Sequence, residues 1–395
     1  MNRRDFLASS AGALWLASHP SIARAAVCAP SAGAPEEGHL VYVGTYTENG
    51  RTEGIFRFRV HPTTGEWRPI GATAAGPNPS FLALHPRGTV LYAVNEVEQY
   101  EGAATGAVSA FAIAPGSGEL TPLGQRRASG GGAPAYVSVD RAGRYALVAN
   151  YVGGSVAALP LGADGSLGEV ARLDPHHGSG PRTDRQEGPH AHSIVPDPSD
   201  RFALSADLGT DHIYVYALGG PAGPLAPAAV PSVAVAAGAG PRHLAFHPNG
   251  RFVYVSDELA LTVAAFRFDP ATGALAPLGT ASLVAGPAPA TERTAADLHF
   301  APSGRFLYAS VRGDNTLVVF GVDAGTGALT FVQRVPTGGD WPRNFGLDPA
   351  GRFLYVANQR SNTITAFRVD AASGRVTPTG THVEVPAPVC VRFLG

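Results

Sequence analysis

The side chains best suited to chemistry in this sequence lie at the ends of successive short apolar segments. They are His192, Arg242, Glu258 and Arg312. A carboxylate beside guanidinium groups stays ionised, because a neighbouring opposite charge favours the charged form. Arginine can donate to negative charge that develops on a carbonyl oxygen, and histidine can move a proton. The set predicts chemistry at a carbonyl group, in which Glu258 polarises a water molecule and His192 acts as proton shuttle.

Six further residues are predicted to bind a substrate. Arg343 occupies the equivalent position of a later segment, and His243 and Asp297 are close neighbours of the catalytic candidates. The other three lie in or beside a polar, Gly/Pro-rich stretch over residues 174–189, which is long for a connection, and they are Arg185, Gln186 and His190.

Structural roles are the alternative for several of these residues. They are a buried ion pair for Arg242 with Glu258, solvated rim positions for Arg312 and Arg343, and loop packing for His190 and His192.

A repeated sequence motif explains why residues so distant in the chain would meet. An apolar triplet, a turn and a second apolar run recur about every fifty residues, with the turn residue at Gly88, Gly143, Asp200, Gly250, Gly304 and Gly351. Repeats of this length that carry several short strands are typical of β-propeller blades. A seventh, composite blade would combine residues 40–45 with residues 388–394. The sequence therefore predicts an all-β, seven-bladed propeller, closed by pairing of its first and last strands.

Positions eight residues before and after each turn fall at the same end of the predicted inner hairpins. They are Ser80 with Glu96, Ala135 with Tyr151, His192 with Leu208, Arg242 with Glu258, Ala296 with Arg312, and Arg343 with Gln359, and Tyr46 is the equivalent in the first blade. The strand residues repeat from blade to blade whereas these positions diversify. This contrast predicts a site at the mouth of the central channel, carried by a repeated scaffold.

Two smaller patterns recur with the blades. An Asp-x-x-Thr/Ser-Gly turn is found around Gly65, Gly118, Gly273, Gly327 and Gly374, where glycine supplies a positive φ. Asn or Asp recurs one position before the mouth, at Asn95, Asn150, Asp207, Asp257 and Asn358. Such recurrence favours hydrogen bonding at strand ends over a divalent metal site, and the sequence predicts neither a metal nor a cofactor.

Composition excludes several functions. The net charge is −2, so the chain lacks the basic surface that nucleic acids or anionic membranes attract. All 29 basic residues are arginines, which excludes a Schiff-base lysine or a lysine general base.

The N-terminus has the features of an export signal. Arg3 and Arg4 precede an apolar stretch, and Ala23-Arg24-Ala25 offers a small-x-small cleavage site. We expect a twin-arginine signal peptide over residues 1–25, a flexible lead over 26–37 and the propeller domain over 38–395, in a periplasmic protein. Cys28 and Cys390 either form a disulfide or stay unpaired.

Several motifs together resemble one known family, the seven-bladed-propeller lactonases, which include propeller-type 6-phosphogluconolactonase and the fungal carboxymuconate-lactonising enzyme. The resemblance covers about residues 38–395. It rests on residues 43–47 (VGTYT), 176–180 (HHGSG) with Arg185 and Gln186, 189–193 (PHAHS), 240–243 (GPRH), 257–258 (DE) and 341–344 (WPRN).

The resemblance implies a metal-free lactonase whose catalytic set maps onto His192 (or His190), Arg242, Glu258 and Arg312. Glu258 with His192 would then be the general base on water, and the partner would be a small-molecule lactone bound by a monomer. The export signal departs from a cytosolic pentose-phosphate enzyme, because phosphorylated sugars are scarce outside the inner membrane. A muconate-type cycloisomerase and an exported propeller that only binds a ligand are the alternatives.

Overall fold

The computed structural model describes residues 38–47, 51, 53–220, 223–286 and 292–395. Every regular element in these ranges is a β-strand, and no helix suited to crossing a bilayer is found among them. The predicted signal peptide, the lead and Cys28 lie outside the described residues. Cys390 is buried, and its sulfur accepts a hydrogen bond from the backbone N–H of Leu82 at 3.3 Å.

The strands, in chain order, are β1 (His39–Thr45), β2 (Glu53–Val60), β3 (Trp67–Ala74), β4 (Leu82–Leu84), β5 (Val90–Asn95), β6 (Ala107–Ile113), β7 (Leu120–Pro122), β8 (Arg127–Ala128), β9 (Pro134–Val139), β10 (Tyr145–Asn150), β11 (Ser155–Pro160), β12 (Arg172–Pro175), β13 (Ala191–Pro196), β14 (Phe202–Asp207), β15 (His212–Ala217), β16 (Ala226–Ala234), β17 (Pro241–Phe246), β18 (Phe252–Asp257), β19 (Thr262–Phe268), β20 (Leu275–Ser282), β21 (Thr294–Phe300), β22 (Phe306–Arg312), β23 (Thr316–Val322), β24 (Leu329–Pro336), β25 (Pro342–Leu347), β26 (Phe353–Asn358), β27 (Thr363–Val369), β28 (Val376–Glu384) and β29 (Pro388–Phe393).

These strands form seven antiparallel sheets, one per blade. Blade 1 has the order β29-β1-β2-β3, and six blades of consecutive strands follow it, with the outer edge of blade 2 divided between β7 and β8. In blade 1 the last strand pairs with the first, with Tyr42 opposite Arg392 and Gly44 opposite Cys390. The predicted seven blades and the predicted closure of the ring are both confirmed.

Burial changes from the centre of the ring outward. The second strands β5 and β26 are buried at every residue, because both of their faces pack against a neighbouring blade. Leu204 and Val215 of blade 4, for example, share one apolar cluster with Val253 and Val255 of blade 5. The outer strand β20 buries only Leu275. Inner strand ends are therefore the positions that the packing holds most firmly.

Tyrosine hydroxyls connect each of five blades to the next. A tyrosine on the second strand donates to the carbonyl of the glycine in the outer turn of the following blade, at 2.7–3.0 Å. The pairs are Tyr42 with Gly118, Tyr92 with Gly165, Tyr254 with Gly327, Tyr308 with Gly374, and Tyr355 with Gly65. The last pair joins blade 7 to blade 1, so the hydrogen bonds also span the point of closure.

The outer turn requires glycine for two reasons. Gly65 has a φ of 74°, a region that side chains with a Cβ rarely enter. A Cβ at this position would also lie 2.5 Å from the Phe353 ring of the adjacent blade. The predicted positive φ of this turn is confirmed at all five glycines, Gly65, Gly118, Gly273, Gly327 and Gly374.

Removing one interblade hydroxyl should weaken the ring. The substitution Tyr308→Phe leaves the Gly374 carbonyl buried without its donor, which should lower the free energy of unfolding by about 1–2 kcal/mol. Tyr145→Phe is the matched control, since the Tyr145 hydroxyl donates to no described residue. Urea unfolding of the two variants would check this, and equal stability losses would contradict the interblade role.

Candidate active site

The ends of the inner strands bring the predicted catalytic residues together. His192 lies on β13, Arg242 on β17, and Arg312 at the end of β22, while Glu258 follows β18 directly. All four are buried, with 1–5% of their surface exposed. Arg242 and Glu258 lie at the ends of adjacent strands of blade 5, and Glu258 binds Arg312 from blade 6.

Glu258 is the centre of this group. Its Oε1 lies 2.7 Å from Nη2 of Arg185, and its Oε2 lies 2.8 Å from Nη2 of Arg312 and 2.9 Å from Nε of Arg242. Burial alone would raise the pKa of this carboxyl. The guanidinium charges of Arg312, Arg242 and Arg185 outweigh that effect and lower the pKa to about 2.

This pKa bears on the role expected for Glu258. A general base works best when its pKa is near the working pH, and a carboxylate with a pKa of about 2 that is already ion-paired with three guanidinium groups attracts a proton weakly. The arrangement disfavours Glu258 as the base and suits a carboxylate that holds the arginines in position.

Arg242 is held on two sides and free on a third. Its Nη1 donates to the carbonyl of Ala296 at 2.8 Å and lies 3.1 Å from Nε2 of His243. Its Nη2 donates to no described residue. Burial, together with the charges of Arg312 and Arg343, lowers the pKa of Arg242 to about 9. Because Arg312 and Arg343 place further positive charge near Arg242, a ligand that carries or develops negative charge would be favourable beside this guanidinium.

His243 and Asp297 form a pair behind Arg242. Nδ1 of His243 donates to Oδ1 of Asp297 at 2.7 Å, so Nε2 is the acceptor that faces Arg242. Burial and the Arg242 charge lower the pKa of His243 to about 3, which keeps the ring neutral. The other oxygen of Asp297 binds His299 at 2.8 Å and the Asn344 amide. This network orients Arg242, and it places Asp297 one layer behind the predicted binding position.

His192 differs from the other histidines of the mouth. Its ring is edge-on to Tyr151 and His243, with centroids 5.3 and 5.1 Å away. Its Nδ1 is buried and has no hydrogen-bond partner among the described residues. Burial and the charge of Arg242 lower the pKa of His192 well below its usual value. A neutral imidazole with an unused nitrogen is therefore available at the mouth.

The polar loop between β12 and β13 contributes one residue to the site and uses the others to hold its shape. Arg185 reaches Glu258, as described above. Gln186 is fully buried, and its amide binds the Leu208 carbonyl at 2.8 Å and Asp211 at 2.7 Å. His190 stacks on Tyr151 with its Nδ1 3.0 Å from the Tyr151 carbonyl. Gln186 thus lies apart from the cluster that the sequence assigned it to.

A second polar group combines one predicted binding residue, Arg343, with three residues that were not among the predicted site residues. Tyr46 donates to Glu96 at 2.9 Å, Ser80 donates to the same carboxylate, and Nη2 of Arg343 donates to the Tyr46 hydroxyl at 2.9 Å. We call these four residues the Glu96 cluster. All of them occupy the mouth positions described above, eight residues before or after a repeated turn or, for Tyr46, the equivalent position in the first blade. That placement was the signal in the sequence that could have identified them.

A small cavity joins the two groups. Its lining consists of Ser80, Phe81, Glu96, Ala135, Arg242, His243, Arg343 and Val389. It is the place at which a reacting group would contact the free side of Arg242 and the Glu96 cluster together.

The comparison with known proteins agrees with this geometry. The sequence matches the family model described as "Lactonase, 7-bladed beta-propeller" over residues 40–393. The protein belongs to the seven-bladed β-propeller lactonase family. The predicted family and the prediction of a lactonase are thereby confirmed.

Relatives in the lactonase family cover nearly the whole propeller. A 6-phosphogluconolactonase of Bacillus subtilis is 36% identical over 357 residues, 90% of this chain and 98% of that protein. One from Formosa agariphila is 32% identical over 311 residues, 78% of this chain and 86% of that protein. Among solved structures, the periplasmic gluconolactonase of Pseudomonas aeruginosa has a TM-score of 0.83 and 37% identity, over 90% of this chain and 99% of that one.

One carboxyl beside the candidate site is unusual. Asp257 occupies the strand-end position at which Asn95 and Asn150 donate to backbone carbonyls. Its Oδ2 accepts from Thr262 at 2.7 Å, whereas its Oδ1 is buried without a partner among the described residues. Burial, with the nearby Asp211 charge, raises the pKa of Asp257 to about 7.

Asp257 should therefore make stability depend on pH. The folded state binds the proton more tightly than the unfolded chain, so its stabilisation is complete below about pH 4 and is lost as the pH rises through 7. Asp257→Asn removes this loss and should be more stable than the parent at pH 8, by up to about 4 kcal/mol, but not at pH 4. Urea unfolding at the two pH values checks this.

Asp207→Asn is the matched control, because Asp207 accepts from the backbone N–H groups of His190, Gly209 and Thr210 and has a lowered pKa. It should be destabilised at pH 8. If the stability of Asp257→Asn relative to the parent does not increase from pH 4 to pH 8, the raised pKa assigned to Asp257 is wrong.

Proposed function

We propose that the protein hydrolyses the ester bond of a sugar-derived lactone in the periplasm. The observation that carries this proposal is a buried, neutral His192 that packs edge-on against His243, next to a cavity lined by His243 and Arg242, with Arg242 and Arg312 held by Glu258. Membership of the lactonase family and similarity to a periplasmic gluconolactonase support the reaction class and the compartment.

Arg242 is the proposed oxyanion donor. When water adds to the lactone carbonyl, one negative charge develops on its oxygen. Arg242 lines the cavity, and Arg312 is held near it through Glu258. Donors that are already oriented toward developing charge stabilise it without reorganisation.

His192 is the proposed general base. Its neutral imidazole takes a proton from water as the oxygen of that water bonds to the carbonyl carbon. The tetrahedral intermediate then collapses, the C–O ester bond of the ring breaks, and the imidazolium returns the proton to the leaving alkoxide. The product is an open-chain hydroxy acid, and the enzyme regains its starting state.

Glu258 is proposed as a positioning residue for the arginines, a change from the base expected from the sequence. Its ion pairs fix the donors from three separate segments of the chain. Because its pKa is about 2, it stays ionised throughout the working range and never competes with His192 for the proton.

A panel of δ- and γ-lactones, including 6-phosphogluconolactone, would test the function through proton release. Glu258→Gln removes the charge that holds three guanidinium groups, so we expect kcat to fall at least about 100-fold. The Glu→Gln control is Glu169, which is 76% exposed and binds only Arg127. Circular dichroism reports folding, and Glu258→Asp should recover part of the activity because it keeps the charge.

Absence of turnover above the spontaneous rate on every lactone, in a folded protein, would contradict the proposal. Lactonisation of a muconate-like diacid, or binding without turnover, would then be the functions to measure. Unchanged kcat in the folded Glu258→Gln protein would contradict the positioning role.

The pH profile should identify the base. Burial and neighbouring positive charge lower the pKa of His192, so kcat/KM should stay constant at neutral pH and decline only below the ordinary histidine value of 6.5. His192→Gln should lose about 10²- to 10⁴-fold in activity, and its residual rate should lack this acid limb. His382→Gln, an exposed control, should retain both. An acid limb that survives in His192→Gln would assign the base elsewhere.

A further inference from the structure

The Glu96 cluster has no part in the proposed chemistry, although it borders the same cavity. Ser80, Glu96 and Arg343 line that cavity together with Arg242 and His243. A substrate carbonyl bound at Arg242 would therefore extend toward Glu96. The chemistry of the Glu96 cluster decides which substrates fit there.

The carboxylate of Glu96 has room for further hydrogen bonds. It accepts from the hydroxyls of Tyr46 and Ser80, whereas an ionised carboxylate offers about four acceptor sites. Glu96 is part-buried and reaches the cavity. Its unused acceptor sites suit a ligand that brings hydroxyl donors. Tyr46 and Ser80 add hydroxyls that can rotate to donate or accept.

The charge of the cavity wall points the same way. Two lining residues, Arg242 and Arg343, are cationic, one, Glu96, is anionic, and His243 is neutral, so the wall carries a net charge of +1. Arg242 also shares its charge with Glu258. A lactone without ionised groups gains one negative charge in the transition state, and this wall balances it.

A phosphorylated lactone would not be balanced. A phosphomonoester adds about −1.5 to −2 at neutral pH and presents only acceptor oxygens. Near Glu96 such a group would face a carboxylate of the same charge. Its acceptor oxygens could not donate to the acceptor sites of Glu96. Hydroxyl groups of an unphosphorylated sugar lactone have the donors that Glu96 requires.

We infer that the Glu96 cluster is a hydroxyl-binding subsite that selects unphosphorylated, polyhydroxylated lactones over phosphorylated ones. Glu96 and Ser80 bind hydroxyls of the substrate chain, and Tyr46 fixes Glu96 relative to Arg343. The inference rests on the lactone hydrolysis proposed above and adds the substrate class. Glu96 is a specificity-determining residue, and the reaction itself stays with His192 and the arginines.

The test compares kcat/KM of the parent and Glu96→Gln on glucono-δ-lactone and on its 6-phosphate. The parent should prefer the unphosphorylated lactone. Glu96→Gln loses a charged acceptor and should lose on the order of 10- to 100-fold on this substrate. It should lose less, or gain, on the phosphate, because the like charge is gone. The ratio of the two values should therefore shift toward the phosphorylated lactone.

Two further variants complete the experiment. Glu98→Gln lies two residues along the chain at an exposed position and should leave both values unchanged. Ser80→Ala removes one hydroxyl of the Glu96 cluster and keeps its charge, so it should lower efficiency on the unphosphorylated lactone with a smaller change in the ratio. It serves in place of Glu96→Gln if that protein does not fold.

The outcomes separate the two proposals. A parent enzyme that prefers the phosphorylated lactone overturns this inference and leaves the lactonase function standing. A preference for the unphosphorylated lactone that Glu96→Gln does not alter overturns the assignment to Glu96. Turnover of neither lactone, nor of any other on the panel, overturns the proposed function and the inference together.

Discussion

The structure of the mouth depends on one buried carboxylate. Glu258 forms ion pairs with Arg185, Arg242 and Arg312 at 2.7–2.9 Å, and two of these guanidinium groups are themselves buried. An isolated buried charge is strongly unfavourable, and breaking a buried pair typically costs 3–5 kcal/mol. The carboxylate makes the convergence of the three cations tolerable. It also keeps their remaining donors pointed away from it.

A propeller is well suited to support such an arrangement. Each inner strand is held by a blade packed on either side, and in five blades a tyrosine hydroxyl fixes the adjacent second strand to the next outer turn. The stability of the ring therefore comes from positions remote from the mouth. Residues at the strand ends are free to differ from blade to blade, and they can store unfavourable charge that a smaller scaffold would not withstand.

The sequence predicts the propeller fold more completely than it predicts the roles of individual residues in the candidate site. The repeated turn defined the blades, their closure by pairing of residues 40–45 with residues 388–394, and the mouth positions, because these follow from local sequence pattern. The pKa of Glu258 does not follow from local pattern. It depends on Arg185, from a loop 73 residues away, meeting Arg312 from another blade. The burial of Gln186 does not follow from the sequence either, because a polar residue in a polar loop gives no sign that the fold will bury it.

The same positive field shapes both halves of the proposed chemistry. Burial and the charge of Arg242 lower the pKa of His192, which weakens it as a base, and the same arginine stabilises the oxyanion that the base helps to form. The charge of Arg242 thus has two opposite consequences for the rate. Burial tips the balance, because fixed donors act more strongly in a site with little water, and a neutral imidazole stays available over a wider range of acidity. The arrangement suits a lactone, whose strained ester requires only modest basicity from His192 but leaves a charged oxygen to be stabilised.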